Sequence, residues 1–268
     1  MDDHFEQVAL GFSHKALVYD AFGQDHPNLA RMRGRVYRHT LRYLRPGDRI
    51  LELNAGTGGD AAFYAGQGFA VHATDLAPGM MAAIAEKAAR PALEGRLTYQ
   101  QISFTCLEQV SGGPYSYILS NFGGLNCIAD LREVTRALPD ILSPGGRLTW
   151  VIMPPVAPWE LALLFKGQPR LAFRRLRSGG VRANVEGAAF QVHYFTPRQV
   201  LSSLGPDFRL IGLEGLAIFT PPADRKDFAF HHPHLYAALA RLDERIAHLP
   251  PFHSLGDFFI LTAEFLPR

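Results

Sequence analysis

The stretch Ile50-Leu51-Glu52-Leu53-Asn54-Ala55-Gly56-Thr57-Gly58-Gly59-Asp60 decides the fold. It opens as a short apolar run, the pattern of a buried strand over Arg49–Asn54, and breaks into a glycine cluster. Helical spacing follows from Asp60 to Gln67, with Gly68 as its stop. Glycines in a strand-to-helix turn let backbone approach a ligand closely, and the first N–H groups of the helix offer donors. The glycines alone leave the ligand open, because Gly56-x-Gly58-x-x-Ala61 also satisfies the relaxed spacing of a dinucleotide turn. Glu52 separates the two ligand classes. A carboxylate just ahead of the turn repels a pyrophosphate and suits an ammonium or sulfonium group. Asp75 ends the next strand, in Val71-His72-Ala73-Thr74-Asp75, where a carboxylate takes ribose hydroxyls in either reading.

Outward from this turn the pattern alternates. Strands are expected at Ala70–Thr74, Leu97–Ile102, Tyr115–Ser120 and Arg147–Met153, with a helix at Pro78–Arg90 and a turn at Pro144-Gly145-Gly146. Leu131, Val134, Leu138 and Ile141 mark a further helix that Pro139 should kink or divide. Strands alternating with helices imply parallel pairing and right-handed crossovers, hence a doubly wound α/β sheet. Ahead of it, residues 28–44 read as a helix with Asn28 as N-cap, and Phe12–Gly23 as a shorter amphipathic one. Beyond the fifth strand the pattern loosens. Trp159–Leu176 reads as one helix, Val181–Phe195 as a bent strand or a hairpin around Gly187, and Thr196-Pro197 as the start of a helix reaching Leu204. A strand at Phe208–Phe219, a helix at Leu235–His248 and a strand at Phe258–Phe265 close the chain. The expected organisation is a single domain over 1–268. It comprises a helical cap (1–45), a cofactor-binding core (46–155), an acceptor-side insert (156–207) and a C-terminal part completing the sheet (208–268).

Composition narrows the function. With 268 residues, 47% hydrophobic and 19% charged, the chain can bury a core and is too apolar for disorder. A net charge of +2 argues against a protein built to hold nucleic acid. Cys106 and Cys127 form no disulfide framework and have no metal-ligand spacing partner, so both are expected in the core. No apolar run has transmembrane length, and Met1–Phe12 is acidic and polar where a signal peptide is basic and then apolar. The expected location is the cytoplasm.

These motifs, in this order and spacing, resemble class I S-adenosylmethionine-dependent methyltransferases over most of residues 12–153. ILELNAGTGGD matches the E/D-x-x-x-G-x-G signature of that family, and HATDLAPGMM looks like its acidic second-strand end. QISF, YSYILSNFGGLN and SPGGRLTWVI are similar to its adenine-edge segment, fourth strand with following loop, and fifth strand. The resemblance implies a Rossmann-like, seven-stranded, mostly parallel sheet with helices on both faces and one antiparallel strand near the C-terminus. It implies S-adenosyl-L-methionine as cofactor. Glu52, Asn54, Ala55, Gly56 and Gly58 would hold the methionine and ribose side, although Asn54 stands where the family more often has Gly, Asp or Ala. Asp75 would bind the ribose hydroxyls, Leu76 and Met80 would flank adenine, and Ser103 and Phe104 would contact its edge and face. Asn121, Phe122 and Gly123 would pass under the sulfonium. Tyr19 and either Arg31 or Arg33 are candidates for the carboxylate of the cofactor.

The implied reaction is methyl transfer to a small or amphiphilic acceptor. In-line displacement from a sulfonium needs alignment and desolvation, and a base only for a protonated nucleophile. His193 is the first candidate base and His14 the second. Lys166, Arg170, Arg174, Arg175, Arg177 and Arg182 read either as a solvated face or as a contact for an anionic acceptor or a membrane surface. His231, His232 and His234 do not make a metal site, since Pro233 spoils helical ligand spacing. Two rivals remain: an NAD(P)-dependent oxidoreductase on the same glycines, and a catalytically silent protein that binds the cofactor.

Overall fold

Helical spacing ahead of the glycine turn becomes two helices, α1 (Asp3–Gln24) and α2 (Pro27–Leu41), in the computed structural model, which describes residues 3–24, 26–177, 179–225 and 227–267. α1 starts well before the Phe12 expected from sequence. Its apolar residues serve more than one neighbour, since it packs on both a later helix and a later hairpin, and this blurs a single amphipathic stripe. α2 is capped by His26, whose ring accepts from the Leu29 amide, and not by Asn28. Pro27, preset for the first helical position, moves the start ahead of Asn28, whose amide instead donates to the Pro222 and Arg225 carbonyls.

The core alternates as expected: β1 (Arg49–Leu53), α3 (Gly59–Gly66), β2 (Ala70–Asp75), α4 (Pro78–Ala88), β3 (Leu97–Gln101) and β4 (Tyr115–Ser120). Two helical pieces follow, α5 (Arg132–Thr135) and α6 (Leu138–Ile141), divided next to Pro139. β5 spans Leu142–Ile152 and so begins earlier than Arg147. The Pro144-Gly145-Gly146 turn is absorbed into it as an irregularity, where the β4–β5 register jumps from Tyr115↔Leu142 to Tyr117↔Arg147.

Trp159–Leu176 is not one helix. The chain makes short turns instead, among them α7 (Pro158–Leu161) and α8 (Pro169–Ala172), separated by Gly167 in a left-handed conformation (φ 69°). Pro169 disfavours helical geometry at Gln168, so helical spacing continued where the backbone could not. The next segment resolves as a hairpin, β6 (Val181–Val185) and β7 (Ala188–Val192). Both of its turn residues, Glu186 and Gly187, have positive φ (48° and 89°), as a tight two-residue turn requires. α9 (Pro197–Leu204) carries the capping box of Thr196 and Gln199. β8 (Phe208–Leu216) stops short of Phe219, α10 (Asp227–His231) and α11 (Pro233–Ile246) follow, and β9 (Phe258–Phe265) ends the fold.

The seven-stranded sheet has the order β3-β2-β1-β4-β5-β9-β8, with β9 antiparallel to both of its neighbours. This is the mostly parallel, Rossmann-like sheet expected from sequence. Its central strands are buried on both faces, which is why they read as apolar runs rather than alternations. Strand order reverses between β1 and β4, so the carboxyl ends of these two strands frame a crevice. α1 and the β6–β7 hairpin lie over that end of the sheet.

Candidate active site

The crevice is a cavity of about 240 Å³. β1 delivers Glu52 to its floor. The side chain is buried, its Oε2 has no hydrogen-bond partner, and burial together with nearby Asp60 raises its pKa well above the ordinary value. Arg33 opposes that rise. The turn after β1 begins at Asn54 in a left-handed conformation (φ 47°), which Asn adopts more readily than most residues. Its amide donates to the Asn121 carbonyl (3.2 Å) and its Oδ1 accepts from the Ser120 hydroxyl (2.7 Å), tying the β1 turn to the end of β4. A larger residue than Gly124 would collide with this amide, since a Cβ there would stand 2.2 Å from Asn54 Cγ.

At the end of β2, Asp75 accepts from the backbone amides of Gly56 and Ala77, each at 2.9 Å. Burial nevertheless lifts its carboxyl to about 6. Each oxygen has a second lone-pair direction, so the carboxylate can accept from ligand hydroxyls while its backbone bonds hold it still. Leu76, Met80, Ser103 and Phe104 line the same side, and Ala55, Gly56, Asn121, Phe122 and Gly123 line the centre.

Asp60 is a residue that sequence reading passed over, taken only as the start of a helix. Its Oδ1 accepts from the Tyr37 hydroxyl (2.6 Å) and lies 3.0 Å from Arg33 Nε, while Oδ2 accepts from the Asn121 amide (2.6 Å). It thereby ties α2, α3 and the β4 loop together at the cavity wall. Arg33, held there, also lies over the Phe122 ring at 5.5 Å. Arg31 points elsewhere, toward Asp243 and the Ala240 carbonyl, so of the two arginines Arg33 is the one at the cavity. Tyr19 lines the cavity from α1, and that helix is pinned to the glycine turn through Asp20. Thr57 donates to Asp20 Oδ1 (2.5 Å) and Lys87 to Oδ2 (2.6 Å).

Three expected site residues lie away from the cavity lining. Gly58 has φ 76° and faces Ile84, whose Cγ1 would be 2.9 Å from an added Cβ, so it is needed for helix packing. His14 is an exposed α1 residue. The His193 backbone pairs with Asn126, its pKa is lowered by burial and by His4, and its ring does not line the cavity.

A carboxylate with a free buried oxygen, a second one presented for vicinal hydroxyls, and a glycine turn between them suit a ligand that carries a cation and a ribose. Residues 50–146 match the family model described as a methyltransferase domain. That stretch of the chain, which holds the glycine turn, Glu52 and Asp75, is thus similar to methyltransferase domains. A demethylmenaquinone methyltransferase from Beutenbergia cavernae is 31% identical over 125 residues, 43% of this chain. The match spans 46% of that protein, less than half of its length. The CcbJ methyltransferase from Streptomyces caelestis superposes with a TM-score of 0.59 at 17% identity, over 94% of this chain and 96% of that one. The glycopeptide N-methyltransferase MtfA complexed with S-adenosyl-L-homocysteine gives 0.52 at 16% identity, over 86% and 88% of the two chains. At these identities the two structures speak for the fold.

The outer half of the cavity is apolar. Phe5, Val8 and Phe12 of α1 face Val185, Phe190 and Val192 of the hairpin, with Cys127 and Met153 between them. Edge-on ring contacts link Phe5 to Phe104 (6.1 Å), and Phe12 packs against Phe190 (5.9 Å). Alternation in the hairpin sequence was the available signal for this wall. Its pairing with α1 was not readable, because the partners are far apart in the chain. Among the described residues no group of three or more His, Cys, Asp or Glu side chains is placed to hold a metal ion.

Proposed function

We propose that this protein transfers a methyl group from S-adenosylmethionine to a small, apolar or amphiphilic acceptor. The observation that carries the proposal is the unpartnered, fully buried Glu52 oxygen at the floor of the cavity. A buried carboxylate without a cation is costly, and a cationic ligand beside it removes that cost. Glu52, Asp75, Gly56, Ser103 and Phe104 are the residues that would hold the cofactor, with Arg33 and Tyr19 toward its carboxylate. S-adenosylmethionine supplies an electrophilic methyl group on a positively charged sulfur.

The residues of the chain then align and exclude water. The wall built by Phe5, Phe12, Val185 and Phe190 offers an acceptor dispersion and desolvation rather than hydrogen bonds. On that wall the titratable side chain is Cys127, whose thiol burial pushes up to about 12, so it stays protonated and takes no proton. With His14 and His193 off the lining, we infer that the acceptor brings a nucleophile needing no base from the protein. An anionic acceptor finds less support, since Arg174 and Arg175 are engaged by Glu160 and Asp257.

The three carboxylates Glu52, Asp60 and Asp75 around one cavity disfavour the pyrophosphate of NAD(P). Titration calorimetry with S-adenosylhomocysteine and S-adenosylmethionine is the test. Both should bind, and Glu52→Gln should weaken S-adenosylmethionine roughly 10- to 100-fold, the scale of a lost hydrogen bond to a charged group. Absence of binding to the folded wild-type protein discards the proposal. Binding without release of labelled methyl to any extract component favours the silent cofactor-binding reading instead.

A further inference from the structure

The segment between β5 and the hairpin buries little of its apolar content. Leu164, Phe165, Leu171, Phe173 and Leu176 are all exposed, Phe165 to 95%. Exposed cations accompany them, Lys166, Arg170 and Arg177, for which no ion pair is found among the described residues. The one acid between Pro158 and Arg177, Glu160, is turned inward and held by Arg174 (2.8 Å) and Arg175 (2.7 Å). Arg175 also reaches Asp257 (2.7 Å), and Trp159 donates to the Phe219 carbonyl (2.7 Å), so the base of the segment is fixed while its tip projects.

We propose that residues 162–177 form a contact for an anionic lipid bilayer surface. Clustered exposed apolar side chains mark an interaction site, and cations without acidic counterparts select a negatively charged partner. The shape favours a fluid partner over a folded one. Gly167 and Pro169 break the segment into short turns, which present neither a continuous helical stripe nor a groove but a protruding Phe165. A protruding ring needs no complementary pocket in an acyl layer, and Lys166 and Arg170 beside it would sit at headgroup level. Beyond Arg177 the chain runs on to β6, whose Ala183 and Val185 line the apolar half of the cavity. A bilayer contact here would therefore adjoin the wall over which an amphiphilic acceptor lies.

The test uses the full chain and sedimentation with large vesicles, either phosphatidylcholine alone or phosphatidylcholine mixed with phosphatidylglycerol. Binding should be at least roughly tenfold tighter to the mixed vesicles and should fall as salt is added. Phe165→Ser together with Leu171→Ser should reduce that binding roughly tenfold or more by removing inserted apolar area. Lys166→Glu with Arg170→Glu should abolish the preference for phosphatidylglycerol. A far-ultraviolet circular dichroism spectrum and a Tm unchanged from wild type confirm that each variant is folded, and single Phe165→Ser serves where the double variant is not. Equal weak binding to both vesicle types overturns the proposal, as does a serine variant that binds like wild type. So does a dimer, seen by light scattering, that Phe165→Ser dissociates in a protein with no affinity for vesicles. Vesicle binding needs no methyl donor, so its failure leaves the proposed reaction standing, and failure of that reaction leaves the surface contact standing.

Discussion

Glu52 and Asp75 make the cavity sensitive to pH with a definite sign. Burial raises both carboxyls, Asp75 to about 6 and Glu52 well above its ordinary value. Between an unfolded value near 4 and these folded values, the native protein holds protons that the unfolded chain has released. The ligand-free protein therefore loses stability from Asp75 as pH rises from about 4 through about 6, and from Glu52 as pH rises from the ordinary carboxyl value through its own raised one. Glu214 has the opposite shift, lowered chiefly by His39 and Arg35 against the cost of burial, so its contribution is lost only below the ordinary carboxyl range. A cationic ligand favours ionised Glu52. The increase in Tm caused by saturating S-adenosylmethionine is accordingly expected to grow as pH rises above the ordinary carboxyl range, and Glu52→Gln should flatten that growth. Scanning fluorimetry at several pH values reads this directly, and a ligand effect independent of pH in the wild type would contradict the role given to Glu52. The carboxylate at 52 was legible in the sequence because it interrupts an apolar run just before a glycine turn. The role of Asp60 was not, because an acid at the start of a helix is common for reasons of capping and dipole alone.

At the scale of elements, α1 decides whether the cavity is closed. Two close approaches hold it. A Cβ on Gly79 of α4 would stand 2.6 Å from the Ser13 carbonyl oxygen, and one on Gly11 would stand 2.8 Å from that of Val185. Both collisions are with backbone, which cannot step aside as a side-chain end can. Gly79→Val is expected to push α1 outward, weaken S-adenosylhomocysteine binding roughly tenfold and expose α1 to limited proteolysis, while the sheet remains intact. Gly66→Ala, in open space on α3, is the control and should be neutral or stabilising by about 0.5–1 kcal/mol. Equal affinity in Gly79→Val and wild type would remove α1 from the ligand site. Sequence periodicity found strands β1–β5 and helices α3 and α4, whose neighbours are set by the alternating pattern itself. It failed for Trp159–Leu176, where helical spacing met a glycine and a proline that end each turn. It shortened α1 because a helix serving two partners carries no single apolar stripe.

Over the whole molecule, the half of the cavity around Glu52 and Asp75 was readable and the apolar half was not, and the difference is one of chain distance. Glu52, Gly56 and Asp75 stand on two adjacent strands joined by one helix, so a local pattern contains them. Phe5, Cys127, Met153 and Phe190 come to one wall from four separate parts of the chain. A comparable long-range junction ends β8, which the sequence prolonged to Phe219. Asp243 of α11 is buried and accepts from the amides of Ile218 (3.2 Å), Phe219 (2.8 Å) and Thr220 (3.2 Å) and from the Thr220 hydroxyl (2.7 Å). These donors turn toward the carboxylate instead of a neighbouring strand, and Arg31 of α2 approaches it at 3.7 Å. One side chain thus joins an N-terminal helix, the end of β8 and a C-terminal helix. Asp243→Ala leaves buried amides without their acceptor and the Arg31 guanidinium without its counter-charge, and is expected to cost about 3–5 kcal/mol. Glu244→Ala removes only an exposed partner of Arg38 at 3.6 Å and should cost at most about 1 kcal/mol. Urea unfolding compares the two. Midpoints shifted equally would mean that the β8 end is held by its packing rather than by this carboxylate.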